Sequence, residues 1–108
     1  MSCWTGEIDG ETAEALELST LDGLRPSDDG LTIDLSSVTY VDSAGIRVLA
    51  ALSHRLTERR KGLLLVVPER SVLSRALEVG GISAMIPTFP SLRAAHEHRS
   101  GLTSDRPV

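Results

Sequence analysis

A run of five apolar residues, Leu63-Leu64-Leu65-Val66-Val67, closed by Pro68, restricts this chain more than any other feature. A strand sends successive side chains to opposite faces, so an uninterrupted apolar run has both faces covered. It is also far short of the roughly 20 residues that a bilayer span requires. A strand buried on both faces is typical of a parallel sheet under helices, and parallel neighbours need long crossover connections. The remaining sequence must therefore supply further strands with helices between them.

It does. Residues 5–8 form a strand candidate cut off by Asp9-Gly10, and Asp9 is placed to cap a following helix with Glu11 in its first turn. Ala13, Leu16, Leu18, Leu21 and Leu24 cover one broad side of that helix, and the turn formers of residues 25–30 end it. Leu31, Ile33 and Leu35 alternate with polar residues as a strand does, and residues 36–42 read as a connection. A second helix is expected over residues 43–61, with Ile46, Leu49, Ala50, Ser53 and Leu56 facing inward and Gly62 at its end. Beyond Pro68 the pattern predicts a helix over 71–79 stopped by Gly80-Gly81, and a short strand at Ala84-Met85-Ile86. Ser91 is placed to cap a last helix running through about His96. The sum is an α/β domain, a mostly parallel sheet of about four strands with helices packed on it. A single domain is expected over residues 1–98, with a flexible tail over 99–108.

Composition narrows the function. The chain has 108 residues, 41% of them hydrophobic and 24% charged, with a net charge of -4. That balance disfavours a duplex nucleic-acid binder, whose affinity comes largely from cations on phosphates. One cysteine, Cys3, permits no internal disulfide and fits a reducing compartment. Residues 1–10 lack the apolar core of a signal peptide, so a cytoplasmic protein with no membrane association is expected. His54, His96 and His98 carry no metal-site pattern, and neither phosphate-loop nor dinucleotide fingerprint occurs, so no metal and no cofactor are expected.

The chemistry-bearing segment is Asp34-Leu35-Ser36-Ser37-Val38-Thr39-Tyr40-Val41-Asp42-Ser43-Ala44-Gly45. A strand runs into a turn, and an Asp-Ser pair stands where a long helix begins. Helix starts carry unpaired N–H groups and a positive dipole end. Ser43 reads either as the cap of that end or as a site able to carry a phosphate. Gly45 would leave the backbone open to close approach. Asp42 reads as a solvated turn residue or as part of a recognition surface. The basic cluster Arg55, Arg59, Arg60 and Lys61 reads as a solvated helix end or as a docking patch.

These residues resemble the signature of the STAS anti-sigma-factor antagonists. Gly6-Glu7-Ile8-Asp9 is similar to that family's Gly-Glu-Leu-Asp element, and the strand at 63–67 and the segment Val72 to Ile82 follow in the family's order. The resemblance implies a STAS-type fold whose unphosphorylated form binds an anti-sigma factor with serine-kinase activity and so releases a sigma factor. It implies phosphorylation at Ser43, reversal by a PP2C-type phosphatase, and a partner surface including Asp9, Asp42, Ala44 and Gly45. The family has a strand before Gly-Glu-Leu-Asp, whereas five residues precede Gly6 here. A short or missing first strand is therefore expected, with an open sheet edge through which a homodimer could form. STAS docking modules of other systems, a stressosome subunit or the small partner of a lipid-transport ATPase, are the alternatives. A serine hydrolase is disfavoured because Val41 stands where a nucleophile elbow needs glycine. The chain is expected not to be an enzyme.

Overall fold

The computed structural model describes residues 2–26, 28 and 30–104. Its elements run β1 (Ser2–Ile8), α1 (Gly10–Asp22), β2 (Gly30–Val41), α2 (Ser43–Glu58), β3 (Gly62–Val66), α3 (Val72–Val79), α4 (Ile82–Met85), β4 (Thr88–Phe89) and α5 (Leu92–Ser104). The strands form one four-stranded sheet in the order β1-β2-β3-β4, and every neighbouring pair is parallel. The parallel α/β architecture expected from the apolar run at 63–67 is thus the one observed.

That run divides its side chains as the argument requires. Leu63, Leu65 and Val67 enter the main core with residues of α1, α2, α3 and α4, whereas Leu64 and Val66 pack with Ala95 of α5 and with Phe89 on the other face. Among the described residues, α5 covers the second face over β3 and β4, and Asp34 of β2 is buried beside them. Over β1 and β2 that face carries the exposed residues Cys3, Thr5, Glu7, Ser36, Ser37, Thr39 and Tyr40.

Several boundaries differ from the sequence reading, each for a physical reason. β1 starts at Ser2, three residues before the expected start, because Trp4 is buried and its indole N–H donates to the Thr20 hydroxyl of α1. β2 continues through residues 36–41, which looked like a connection. Its register against β1 slips twice, from Cys3↔Asp34 to Thr5↔Ser37 and from Gly6↔Val38 to Glu7↔Tyr40. Each slip inserts one residue on β2, so the buried positions become Leu35, Val38 and Val41 at a spacing of three. The Asp34 carboxylate, folded back onto the Ser36 amide at 2.9 Å and its hydroxyl at 2.5 Å, holds the first slip.

In α1 the buried residues are Ala13, Glu17 and Thr20, while Leu18 is exposed. In α2 they are Gly45, Leu49, Leu52 and Leu56, so Leu52 rather than Ala50 or Ser53 completes the inward stripe. α2 ends at Glu58, and Arg60, not Gly62, takes the left-handed conformation after it with φ 59°. Lys61, far from being a solvated helix end, donates its ammonium to the carbonyls of Arg25, Pro26 and Asp28, tying the α1–β2 loop to the α2–β3 loop. Ala84-Met85 is helical rather than extended. Gly81 reverses the chain at φ 80°, and Ile82 and Ile86, four residues apart, are both buried. α5 continues to Ser104 where His96 was the expected end, so it overlaps the expected tail. Ser27 and Asp29 of the expected turn and residues 105–108 of that tail lie outside the described residues.

Candidate functional site

Two parallel strands that end in register place two helix starts side by side. Ile8 pairs with Val41 as the last rung of β1 and β2. The next residue of each strand is an aspartate, and the Asp42 amide extends the ladder by donating to the Ile8 carbonyl at 3.1 Å. Asp9 caps α1, its Oδ1 accepting from the Thr12 amide at 2.8 Å, and Asp42 caps α2, its Oδ1 accepting from the Gly45 amide at 2.7 Å. The Thr12 amide, and after it the Thr12 hydroxyl, hold the Asp9 carboxyl below its ordinary value.

Capping by Asp42 corrects the expectation that Ser43 could cap α2. With the cap taken, Ser43 is the first helical residue and its side chain is exposed. A hydroxyl with no structural duty is thereby presented at the surface. The neighbouring small residues are there for space. A Cβ on Gly10 would stand 2.7 Å from the Ala44 methyl, and a Cβ on Gly45 would stand 2.8 Å from Val41 Cγ2 and 3.0 Å from the Ile8 carbonyl oxygen. Gly45 is buried and Ala44 partly buried, so both residues bring α2 close against α1 and the end of β1.

Ser43 also stands at the rim of an apolar groove between α2 and α3, whose lining includes Ile46, Val72, Ala76 and Val79, with Arg75 beside them. α3 buries Leu73 and Leu77, is fixed by a reciprocal Ser71–Ser74 capping box, and leaves Val72 and Val79 at 75% and 83% exposure. Gly80 closes the groove's end, since a Cβ there would lie 3.0 Å from Ile46 Cδ1. Two valines so exposed on one short helix, next to a free hydroxyl, form a surface suited to a protein partner.

Ser43, Asp42, Ala44 and Gly45 therefore gather at one helix start, and Asp9 stands at the start beside it. Ile46, Val72, Arg75 and Val79 were not singled out from the sequence as surface residues. The available signal was the spacing of Val72 and Val79 on the side of α3 away from Leu73 and Leu77. Among the described residues no group of three or more histidine, cysteine, aspartate or glutamate side chains gathers as metal ligands. No helix among them is long and apolar enough to cross a membrane.

A family model described as STAS domain matches residues 4–95. The chain is 33% identical over 101 residues to the anti-sigma-F factor antagonist RsfB of Mycobacterium tuberculosis, a match covering 94% of this chain and 79% of that protein. The crystal structure of an anti-sigma factor antagonist from Mycobacterium paratuberculosis superposes with a TM-score of 0.70 at 30% identity, covering 97% of this chain and 83% of that one. The STAS domain of a SulP transporter from Vibrio cholerae superposes with a TM-score of 0.78 at 18% identity, with coverage of 97% and 83%. The last likeness is one of fold alone.

Proposed function

This chain belongs to the STAS domain family, and we propose that it is an anti-sigma-factor antagonist, a binding protein rather than an enzyme. Its unphosphorylated form docks an anti-sigma factor that is also a serine kinase, and so frees a sigma factor. The likeness to RsfB of Mycobacterium tuberculosis and to the Mycobacterium paratuberculosis antagonist supports the role. One structural observation carries the switch: the Ser43 hydroxyl is exposed, released from capping by Asp42, and set at the rim of the apolar groove between α2 and α3.

In the switching step the Ser43 Oγ takes the γ-phosphoryl group of ATP, losing its proton as ADP leaves. The product carries about -1.5 to -2 charges at neutral pH. Because Asp42 rather than Ser43 caps α2, the fold has no need of the hydroxyl and survives its modification. Docking over the groove must then desolvate the phosphate. A penalty of about 3 kcal/mol weakens binding roughly 100-fold, enough to turn the interaction off. A PP2C-type phosphatase restores the hydroxyl by hydrolysis. Asp9, Asp42 and Ala44 border the docking face, and buried Gly45 sets its shape. The setting is cytoplasmic. β1 ends the sheet order, so its outer edge is where a second copy would pair. Sedimentation across a concentration series tests that.

The switch is tested by mixing the chain and its Ser43→Ala variant with candidate anti-sigma kinases and ATP, then weighing the intact proteins. One phosphate on the wild type and none on the variant is expected. A kinase that binds the chain yet adds no phosphate would overturn the switch.

A further inference from the structure

Two arginines on different helices have Ser43 as a neighbour, one by helix spacing and one by a shared groove. Arg47 follows Ser43 by four residues on α2, the spacing at which helix side chains meet, and is exposed. Arg75 projects from α3 and lines the same groove as Ser43. The ion pairs among the described residues are His54–Glu58, Arg55–Glu17 and Arg93–Glu97, and neither Arg47 nor Arg75 takes part in one. Two arginines outside the ion pairs of the described residues thus stand in the neighbourhood of Ser43 on two different helices.

We infer that Arg75 and Arg47 clamp a phosphate carried on Ser43, and that Arg75, in reaching it, lays its stem over the apolar groove. The inference rests on the phosphoswitch reading above and deepens it. A phosphoserine offers acceptor oxygens that guanidinium groups bind through short, charge-assisted hydrogen bonds. Arg75 stands on α3 between Val72, three residues before it, and Val79, four residues after. Its aliphatic stem suits an apolar floor while its head stays polar. Phosphorylation would then remove the docking face by covering Ile46, Val72 and Val79 from within, besides adding charge. The cover does not depend on which charges the partner carries.

The other ionic groups around the site differ in reach. Asp42 lies on the same helix start, its Oδ1 already engaged by the Gly45 amide. Glu14 and Glu17 of α1 border the adjoining α1–α2 groove with Arg47 and Arg55, so they compete for Arg47. Glu78 follows Arg75 by three residues on α3 and competes for it. Arg75 is therefore the arm whose loss should be felt in the groove.

The test needs no kinase. Phosphoserine is inserted at position 43 during translation in the full chain, in Arg75→Gln and in Arg47→Gln, and the phosphate is titrated by phosphorus NMR. Its second pKa, ordinarily about 6, is expected to lie lowest in the wild-type background and to rise by roughly half a unit in Arg75→Gln, since a nearby cation favours the dianion. Methyl signals of Val72 and Val79 should move on phosphorylation in the wild type and stay in place in Arg75→Gln. Both arginines are exposed, and matched circular dichroism of the unmodified variants checks that the fold is kept. An unchanged pKa in Arg75→Gln, or valine methyls indifferent to the phosphate, overturns the clamp whatever Arg47→Gln does. A clamp seen here leaves the kinase test standing on its own. A kinase that modifies Ser43 without a clamp sinks this inference alone.

Discussion

The starts of α1 and α2 are built alike and surrounded differently. Each follows a strand end in the Ile8–Val41 pair, and each is capped by an aspartate bonded to the amide three residues on. Around α1 the cap is followed by Gly10, Glu11 and Thr12, and Asp9 itself is exposed. Around α2 the cap is followed by a free serine, a partly buried alanine and a buried glycine, with the Val72–Val79 groove beside them. Capping chemistry therefore does not mark the functional end. What marks it is the combination of a hydroxyl relieved of capping and an unburied apolar surface on the adjacent helix.

Packing is where the two helix starts should respond most strongly to substitution. Gly45→Val should have the largest effect, because its Cβ would meet Val41 Cγ2 at 2.8 Å and the Ile8 carbonyl at 3.0 Å. A loss of about 3 kcal/mol is expected from overpacking, read by urea denaturation. Gly10→Ala presses on the Ala44 methyl at 2.7 Å. It should cost about 1–2 kcal/mol net of the helix propensity it gains. In a double-mutant cycle with Ala44→Gly the coupling should be about 1 kcal/mol, whereas zero coupling would mean the two helices do not touch there. Asp42→Ala removes the α2 cap and should cost about 1 kcal/mol.

The Asp9 cap is separable by pH. Its carboxyl is held below the ordinary 3.8 in the folded chain by the Thr12 amide. A lowered folded value means stability that is fully present above the unfolded value and fades as pH falls through the folded one. The stability gap between wild type and Asp9→Asn should therefore be constant above about pH 5 and close in acid, and a gap independent of pH would contradict the cap. Ser43→Ala should be the smallest change, within about 0.5 kcal/mol, since the side chain is exposed and caps nothing. A larger loss would return Ser43 to a structural role.

Much of the parallel sheet was legible because the Leu63–Val67 run and the alternation of Leu31, Ile33 and Leu35 are local signals. Legibility failed where tertiary contacts changed the period. The two inserted residues on β2 turned a spacing of two into a spacing of three at Leu35, Val38 and Val41, so a strand looked like a loop. Ile82 and Ile86 carried a helical spacing, but the triplet Ala84-Met85-Ile86 read as a strand. At the site, the sequence brought attention to Ser43 and Asp42 but offered the cap to Ser43, where Asp42 takes it. Either residue can cap a helix, and the strand exit decides which one stands at the capping position.

The alternation of strands and helices, the parallel sheet and a serine at a helix start are written in the chain's local pattern, because these depend on side-chain periodicity and local turn chemistry. Tertiary structure alone settles that β2 runs on to Val41 and leaves the cap to Asp42, that Val72 and Val79 remain uncovered next to Ser43, and that Arg75 of α3 lines the groove at whose rim Ser43 stands. The last two of these depend on how α3 docks beside α2. That docking is set by Leu73, Leu77 and the close approach of Gly80 to Ile46, contacts between residues too far apart in the chain for any local pattern to record.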